Sequence, residues 1–250
     1  AGVLGKLKHL ESLAVPDNRL WPAGAAALSP SLPPTLLRLD MRRNDLGVLG
    51  VESLSIHLDR LAVLQHLDLS SNLLRAEGAE VLAPCLPATL RTLALADNIL
   101  GTHGSRAVAP HLPPALERLD LSANCLKEAD VRRLAPHLPK TLLHLNLSRN
   151  TFGAAGAAAL GPYLPPTLEV LRLDTCFLRA DGAVALAPHL PKGLRSLELR
   201  ANGLGAAGAH ALEHHLPKGL QYLGVEGCLL TSDNVLALKG QLGPGAVLMG

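Results

Sequence analysis

Leu116-Glu-Arg-Leu-Asp-Leu-Ser-Ala-Asn-Cys-Leu126 is the stretch on which the reading of the chain turns. Leu119, Asp120 and Leu121 alternate apolar and polar, the period of a strand with one face buried. The frame Leu-x-x-Leu-x-Leu-x-x-Asn-x-Leu recurs nine times, as in Leu64, Leu67, Leu69, Asn72 and Leu74, with Val15, Met41, Phe152 and Val225 as apolar swaps. Its polar position is filled by Asn18, Asn44, Asn72, Asn98, Asn124, Asn150, Cys176, Asn202 and Cys228, with every step 26 residues except the 28 from Asn44 to Asn72. After each frame comes an apolar triplet at i, i+3 and i+7, such as Ala79, Leu82, Leu86 and Val131, Leu134, Leu138. A period-2 segment followed by a helix-period segment makes each repeat a strand–helix unit.

Composition agrees with a single packing solution used many times. Of 250 residues, 59 are Leu, while aromatic residues are only 2%, so Leu, Ala and Val must fill the core. That Leu content excludes intrinsic disorder. The net charge is +2, from 23 basic and 21 acidic residues, so no strong field favours nucleic acid or an anionic membrane. Four Cys are too few for a disulfide scaffold. Pro, Gly or a charge interrupts every apolar run before it could span a membrane, and no basic segment followed by an apolar one reads as a secretory signal.

Nine copies in frame, over essentially the whole chain, resemble the leucine-rich repeat family, specifically its ribonuclease-inhibitor-like class. The resemblance implies an α/β fold: a right-handed solenoid curved as a horseshoe, with a parallel inner sheet and short outer helices. It implies one domain over residues 1–250, of about nine repeats of 26–28 residues. That class usually runs near 28 residues. Here most units lose two after the helix, where the Leu58–Leu64 connector becomes Leu86-Pro-Ala-Thr-Leu90. This Leu-Pro-x-x-Leu return is similar to a bacterial subclass. Pro30, Pro84, Pro110, Pro136, Pro162 and Pro188 each remove a backbone donor, so helices of about two turns are expected to end near them. Leu4–Leu10 and Leu242–Leu248 both match the longer connector, which predicts a tenth strand opening at Leu248. Neither end shows the polar capping unit that solenoids need, so the chain is expected to be a section of a longer protein or, alternatively, to have its ends covered by a partner.

The recurring Asn is expected to form a ladder, its amide satisfying backbone groups of its own turn and of the adjacent unit. Cys176 and Cys228 read as small buried rungs, too far apart for a disulfide. Gly24, Gly50, Gly78, Gly104, Gly156, Gly182 and Gly208 recur six residues after the ladder position, where helix starts or close packing explain them better than a phosphate cradle. His57, His111, His137, His189 and His215 share one column near helix C-termini. Neighbouring helices roughly 8–10 Å apart would let at most two of them converge, so neither a metal nor a cofactor is expected. Ser70, Ser71, Ser122 and Ser148 lie near Asp40, Asp68 and Asp120, but none sits in a nucleophile elbow or beside an activating His, so no enzyme activity is read.

What remains is the strand face that points away from the Leu core, expected to be the concave side. Its candidate protein-binding residues are Arg38, Asp40, Arg42, Arg43, His66, Asp68, Arg118, Asp120, His144, Arg149, Arg172, Asp174, Arg200, Tyr222 and Glu226, with Asn146 beside them. Alternating signs suit a protein partner and not a nucleic-acid stripe. The expected function is a non-catalytic, intracellular protein-interaction scaffold, within a larger protein or multisubunit assembly. Through the resemblance, a second expectation is an enzyme regulator, since relatives include Ran GTPase-activating proteins, tropomodulin-type actin-capping proteins and NOD-like immune receptors.

Overall fold

The computed structural model describes residues 7–250. Residues 4–6 of the Leu4–Leu10 connector match therefore lie outside the described residues. The chain divides after Asn124 into two compact units. In the first, β1 (Ser12–Ala14), β2 (Arg38–Asp40), β3 (His66–Asp68), β4 (Thr92–Ala94) and β5 (Arg118–Asp120) alternate with helices α1 (Trp21–Leu28), α2 (Gly47–Leu58), α3 (Arg75–Leu82) and α4 (Gly101–Val108). In the second, α5 (Glu128–Leu134) precedes β6 (His144–Asn146), α6 (Gly153–Leu160), β7 (Val170–Arg172), α7 (Arg179–Leu186), β8 (Ser196–Glu198), α8 (Gly205–His215), β9 (Tyr222–Gly224), α9 (Ser232–Gln241) and β10 (Val247–Met249). A tenth strand is present, but it opens at Val247, and Leu248, expected to open it, is its central residue in register with Leu223.

Within each unit the strands run parallel, each three residues long, and their central Leu residues are in register. Leu13 pairs with Leu39, Leu39 with Leu67, Leu67 with Leu93 and Leu93 with Leu119. Leu145, Leu171, Leu197 and Leu223 repeat the row in the second unit. One side chain per strand thus enters the core, and its two neighbours stay on the open face. The frame residues Leu64, Leu67, Leu69 and Leu74 are fully buried. This is the leucine-rich α/β solenoid that the repeat predicts.

Helix length follows the proline column. Helices α1, α3 and α4 each stop after eight residues and pass into 3-10 turns at Ser29–Ser31, Ala83–Cys85 and Ala109–His111, with Pro at the middle position. Pro cannot donate to the helical ladder, so the tighter turn takes over just before it. Ile56 stands in that column of α2, which runs 12 residues, and His214 stands in it in α8, which runs 11. The glycine column lets helices approach: a Cβ added at Gly104 would lie 3.3 Å from Ala76 Cα, and at Gly182 3.1 Å from Ala154 Cα. Where the column holds Asp130 or Asn234, the side chain caps its helix instead, Lys127 N–H donating to Asp130 Oδ2 at 2.8 Å and Thr231 N–H to Asn234 Oδ1 at 3.2 Å. No helix among the described residues is long and apolar enough to cross a membrane.

Candidate functional site

The strand ends in a turn whose backbone alternates into the left-handed region. Ser71, Leu73 and Arg75 have φ of 54°, 57° and 58° around Asn72, and Thr175, Phe177 and Arg179 repeat the pattern around Cys176. A residue with a Cβ costs about 1–2 kcal/mol there, so the turn needs outside restraint. The ladder supplies it. Asn72 Oδ1 accepts the N–H of Asn44 at 3.0 Å and of Leu46 at 3.4 Å. Its Nδ2 donates to the carbonyls of Met41, Leu69 and Ser70 at 3.0, 2.9 and 3.2 Å. Asn44 and Asn98 make the same five contacts with their own neighbours, and Asn124 accepts from Asn98 and Leu100. Asn18 differs from the expected rung: it is exposed, and among the described residues its Nδ2 reaches only Pro16 O, at 2.8 Å.

In the second unit Asn150 accepts from Leu126 N–H at 3.0 Å, and Asn202 accepts from Cys176 and Leu178 at 2.9 and 3.2 Å. Cys176 and Cys228 are buried rungs of another kind. The Cys176 thiol donates to Leu147 O at 3.3 Å and Asp174 O at 3.5 Å, and the Cys228 thiol to Leu199 O at 3.0 Å. Their sulfurs face the backbone N–H groups of Asn150 and of Asn202 and Leu204, where an amide oxygen would otherwise stand. Burial pushes both thiols up, Cys176 to about 12, so they are inert hydrogen-bonding groups.

The strands set out two charge rows on the open face of the first unit. Arg38, His66, Thr92 and Arg118 align in one row, and Asp40, Asp68, Ala94 and Asp120 in the next. Positions two apart on a strand put these rows roughly 7 Å apart. His66 Nδ1 lies 3.0 Å from Thr92 Oγ1. Its pKa is lowered, first by burial and then by the Arg38 and Arg118 charges on either side. Asp40, Asp68 and Asp120 also hold the turn that follows, accepting the N–H of Arg42, Ser70 and Ser122 at 3.1, 2.9 and 2.9 Å. Arg42 pairs with Asp40 and Asp68 at 3.5 and 3.9 Å. Among the described residues, Arg38 and Arg118 make no ion pair. A shallow depression of about 250 Å³ runs over Arg38, His66, Asp68 and Thr92.

The second unit spends its charges internally. Arg200 meets Asp174 at 3.7 Å, Glu198 at 3.0 Å and Glu226 at 2.5 Å, and it also hydrogen-bonds the Tyr222 hydroxyl with its guanidinium 5.5 Å from the ring centroid. The Glu226 carboxylate holds Arg200 firmly protonated, and burial raises the Asp174 pKa despite the Arg200 N–H it accepts. Arg172 reaches Glu198 at 2.8 Å. His144 and Asn146 flank Leu145 on β6. Arg43 and Arg149, grouped by sequence with the strand face, instead stand in the left-handed turn, one position before Asn44 and Asn150. There Arg43 pairs with Asp17 at 3.7 Å. Sequence reasoning also missed a threonine column in the return loop, whose hydroxyls at Thr35, Thr89 and Thr167 donate to Leu10, Leu64 and Leu142 O at 2.9, 2.7 and 2.7 Å. Its signal was a Thr directly before the first frame Leu.

The family model for the Leucine Rich repeat matches residues 33–55, 61–83 and 139–161. Together with the in-register Leu rows, these matches identify the repeat. The chain is built of leucine-rich repeats. Two solved structures share its fold. The leucine-rich repeat-containing protein LegL7 from Legionella pneumophila is 18% identical, with a TM-score of 0.58 over 90% of this chain and 86% of that one. The Rad7 and Elc1 complex from yeast gives a TM-score of 0.64 at 16% identity, over 97% of this chain and 75% of that one. A sequence comparison with curated proteins gives no match. In this repeat fold the Leu frame builds the scaffold, and the strand residues between the frame positions form its open face.

Proposed function

We propose that the chain is a non-catalytic protein-interaction scaffold, working within a larger intracellular assembly, and that its first unit holds the main binding face. The observation that carries this is the pair of opposed charge rows, in which Arg38 and Arg118 stand without an ion pair among the described residues. A partner with an acidic strip beside a basic one would complement both rows, whereas nucleic acid would be repelled by the Asp row. Arg adds bidentate contacts to carboxylates, and the flanking His66 is already partly desolvated. The yeast structure of Rad7, which is a complex with Elc1, supports the use of this fold in assemblies. The 12-residue helix of the 28-residue repeat supports the ribonuclease-inhibitor-like subclass within the same proposal. The test is affinity capture followed by mass spectrometry with Arg38→Glu/Arg118→Glu. That variant is expected to lose the main partner while its melting temperature stays within a few degrees. Recovery of the same partner at the same yield would move the contact to the helical side.

A further inference from the structure

The proline column breaks at one place on the helical side of the second unit, and that break assembles a set of ligands. Pro188 of the preceding repeat is replaced by His214, so α8 continues to His215 and does not hand over to a 3-10 turn. The extra turn brings His214 beside His210, four residues back on the same helix side, with Glu213 between them. The ligand atoms of His210, Glu213 and His214 all lie within 4.8 Å of one another. The two imidazoles stand edge to face, with centroids 4.4 Å apart, and Glu213 Oε2 is 3.7 Å from His210 Nδ1.

We propose that His210, Glu213 and His214 form a binding site for a divalent transition metal of the Zn²⁺ class. His214 Nδ1 is 2.9 Å from the His210 carbonyl, which can only accept, so the ring proton sits on Nδ1 and Nε2 presents its lone pair. Two imidazoles and one carboxylate suit Zn²⁺, Ni²⁺ or Cu²⁺ and not the all-oxygen preference of Mg²⁺ or Ca²⁺. Zn–N bonds of about 2.0–2.1 Å require the donor atoms to close by roughly 1.5 Å, which side-chain rotation at exposed His210 and His214 provides. Three protein ligands leave a coordination position open for water or for a partner's side chain. His215 is not part of the set: five residues from His210 it points to another side of the helix, and its Nδ1 lies 2.8 Å from Ala211 O. The absence of a metal expected from sequence rested on the column His57 to His215, whereas all three residues of this site lie outside that column.

Isothermal titration of the 250-residue chain with ZnCl₂ tests the assignment. One equivalent is expected to bind at pH 7.5 and to be stripped by excess EDTA. His210→Ala and His214→Ala should each weaken binding about tenfold or more, Glu213→Gln by less, and His215→Ala not at all. Thermal melts of the variants confirm that these solvent-facing changes leave the fold intact. No saturable one-to-one binding by the unsubstituted chain, or binding undiminished in His210→Ala/His214→Ala, would overturn the site.

Discussion

The Asn72 rung of the first unit and the Cys176 rung of the second support the same left-handed turn by different means. The amide makes two accepted and three donated hydrogen bonds. The thiol donates to Leu147 O at 3.3 Å and to Asp174 O at 3.5 Å, and it presents only a weakly accepting sulfur to the preceding backbone. Yet β7 keeps its register with β6 and β8, as β3 does with β2 and β4. Leu stacking therefore sets the backbone, and the ladder supplies local restraint. The open faces differ in the opposite sense. The first unit leaves Arg38 and Arg118 available, while the second draws Arg172 and Arg200 into contacts with its own carboxylates.

The sharpest way to break this contrast is Asn72→Ala. It strands the buried N–H groups of Asn44 and Leu46, while the carbonyls of Met41, Leu69 and Ser70 keep Asn44 Nδ2, Asn98 Nδ2 and Arg43 N–H as donors, and denaturant titration should show a loss of about 3–4 kcal/mol. A loss under about 1 kcal/mol would mean that water serves the rung. Next comes Arg200→Glu, which gathers a fourth carboxylate beside Asp174, Glu198 and Glu226. It should cost about 2–3 kcal/mol, against about 0.5 kcal/mol or less for Arg118→Glu on the open row, and equal costs in thermal melts would erase the distinction between the two faces. The smallest effect is alkaline. The Cys176 thiol is raised from 9.0 to about 12 in the fold, so the native state holds a proton that the unfolded chain releases above pH 9. Stability from this group is complete below pH 9 and is lost as pH rises toward 12, by about 1 kcal/mol at pH 10. Cys176→Ala should lack that component of the pH profile, while an Asn rung contributes none because its amide does not titrate. An unchanged profile in Cys176→Ala would show that the thiol does not contribute.

The repeat made the fold legible because each frame position has one fate: Leu119 and Leu121 enter the core, and Asn124 turns the chain. The proline column likewise predicted short helices, and its gaps at Ile56 and His214 account for the long ones. The site was less legible. Spacing placed Arg200 on the strand face but not its hold on Glu226, because ion pairing depends on side chains contributed by separate repeats. Arg43 and Arg149 were misgrouped because period-2 counting continues past the strand into a turn where successive φ values change sign. Asp40, Asp68 and Asp120 looked like free surface charge, yet each also fastens the turn two residues on. The pairing of His210 with His214 escaped because the His column was read across repeats and not along one helix.

The restraint supplied by the rungs is tested most directly by amide hydrogen exchange in the second unit, where both rung types occur. The N–H of Cys176 donates to Asn202 Oδ1 at 2.9 Å, and the N–H of Asn150 faces the Cys176 sulfur. The Asn150 amide should exchange about tenfold faster than that of Cys176, the ratio expected for a hydrogen bond weaker by about 1.4 kcal/mol. Equal protection, or a slower Asn150, would contradict the claim that amide rungs restrain the turns more tightly than thiol rungs do.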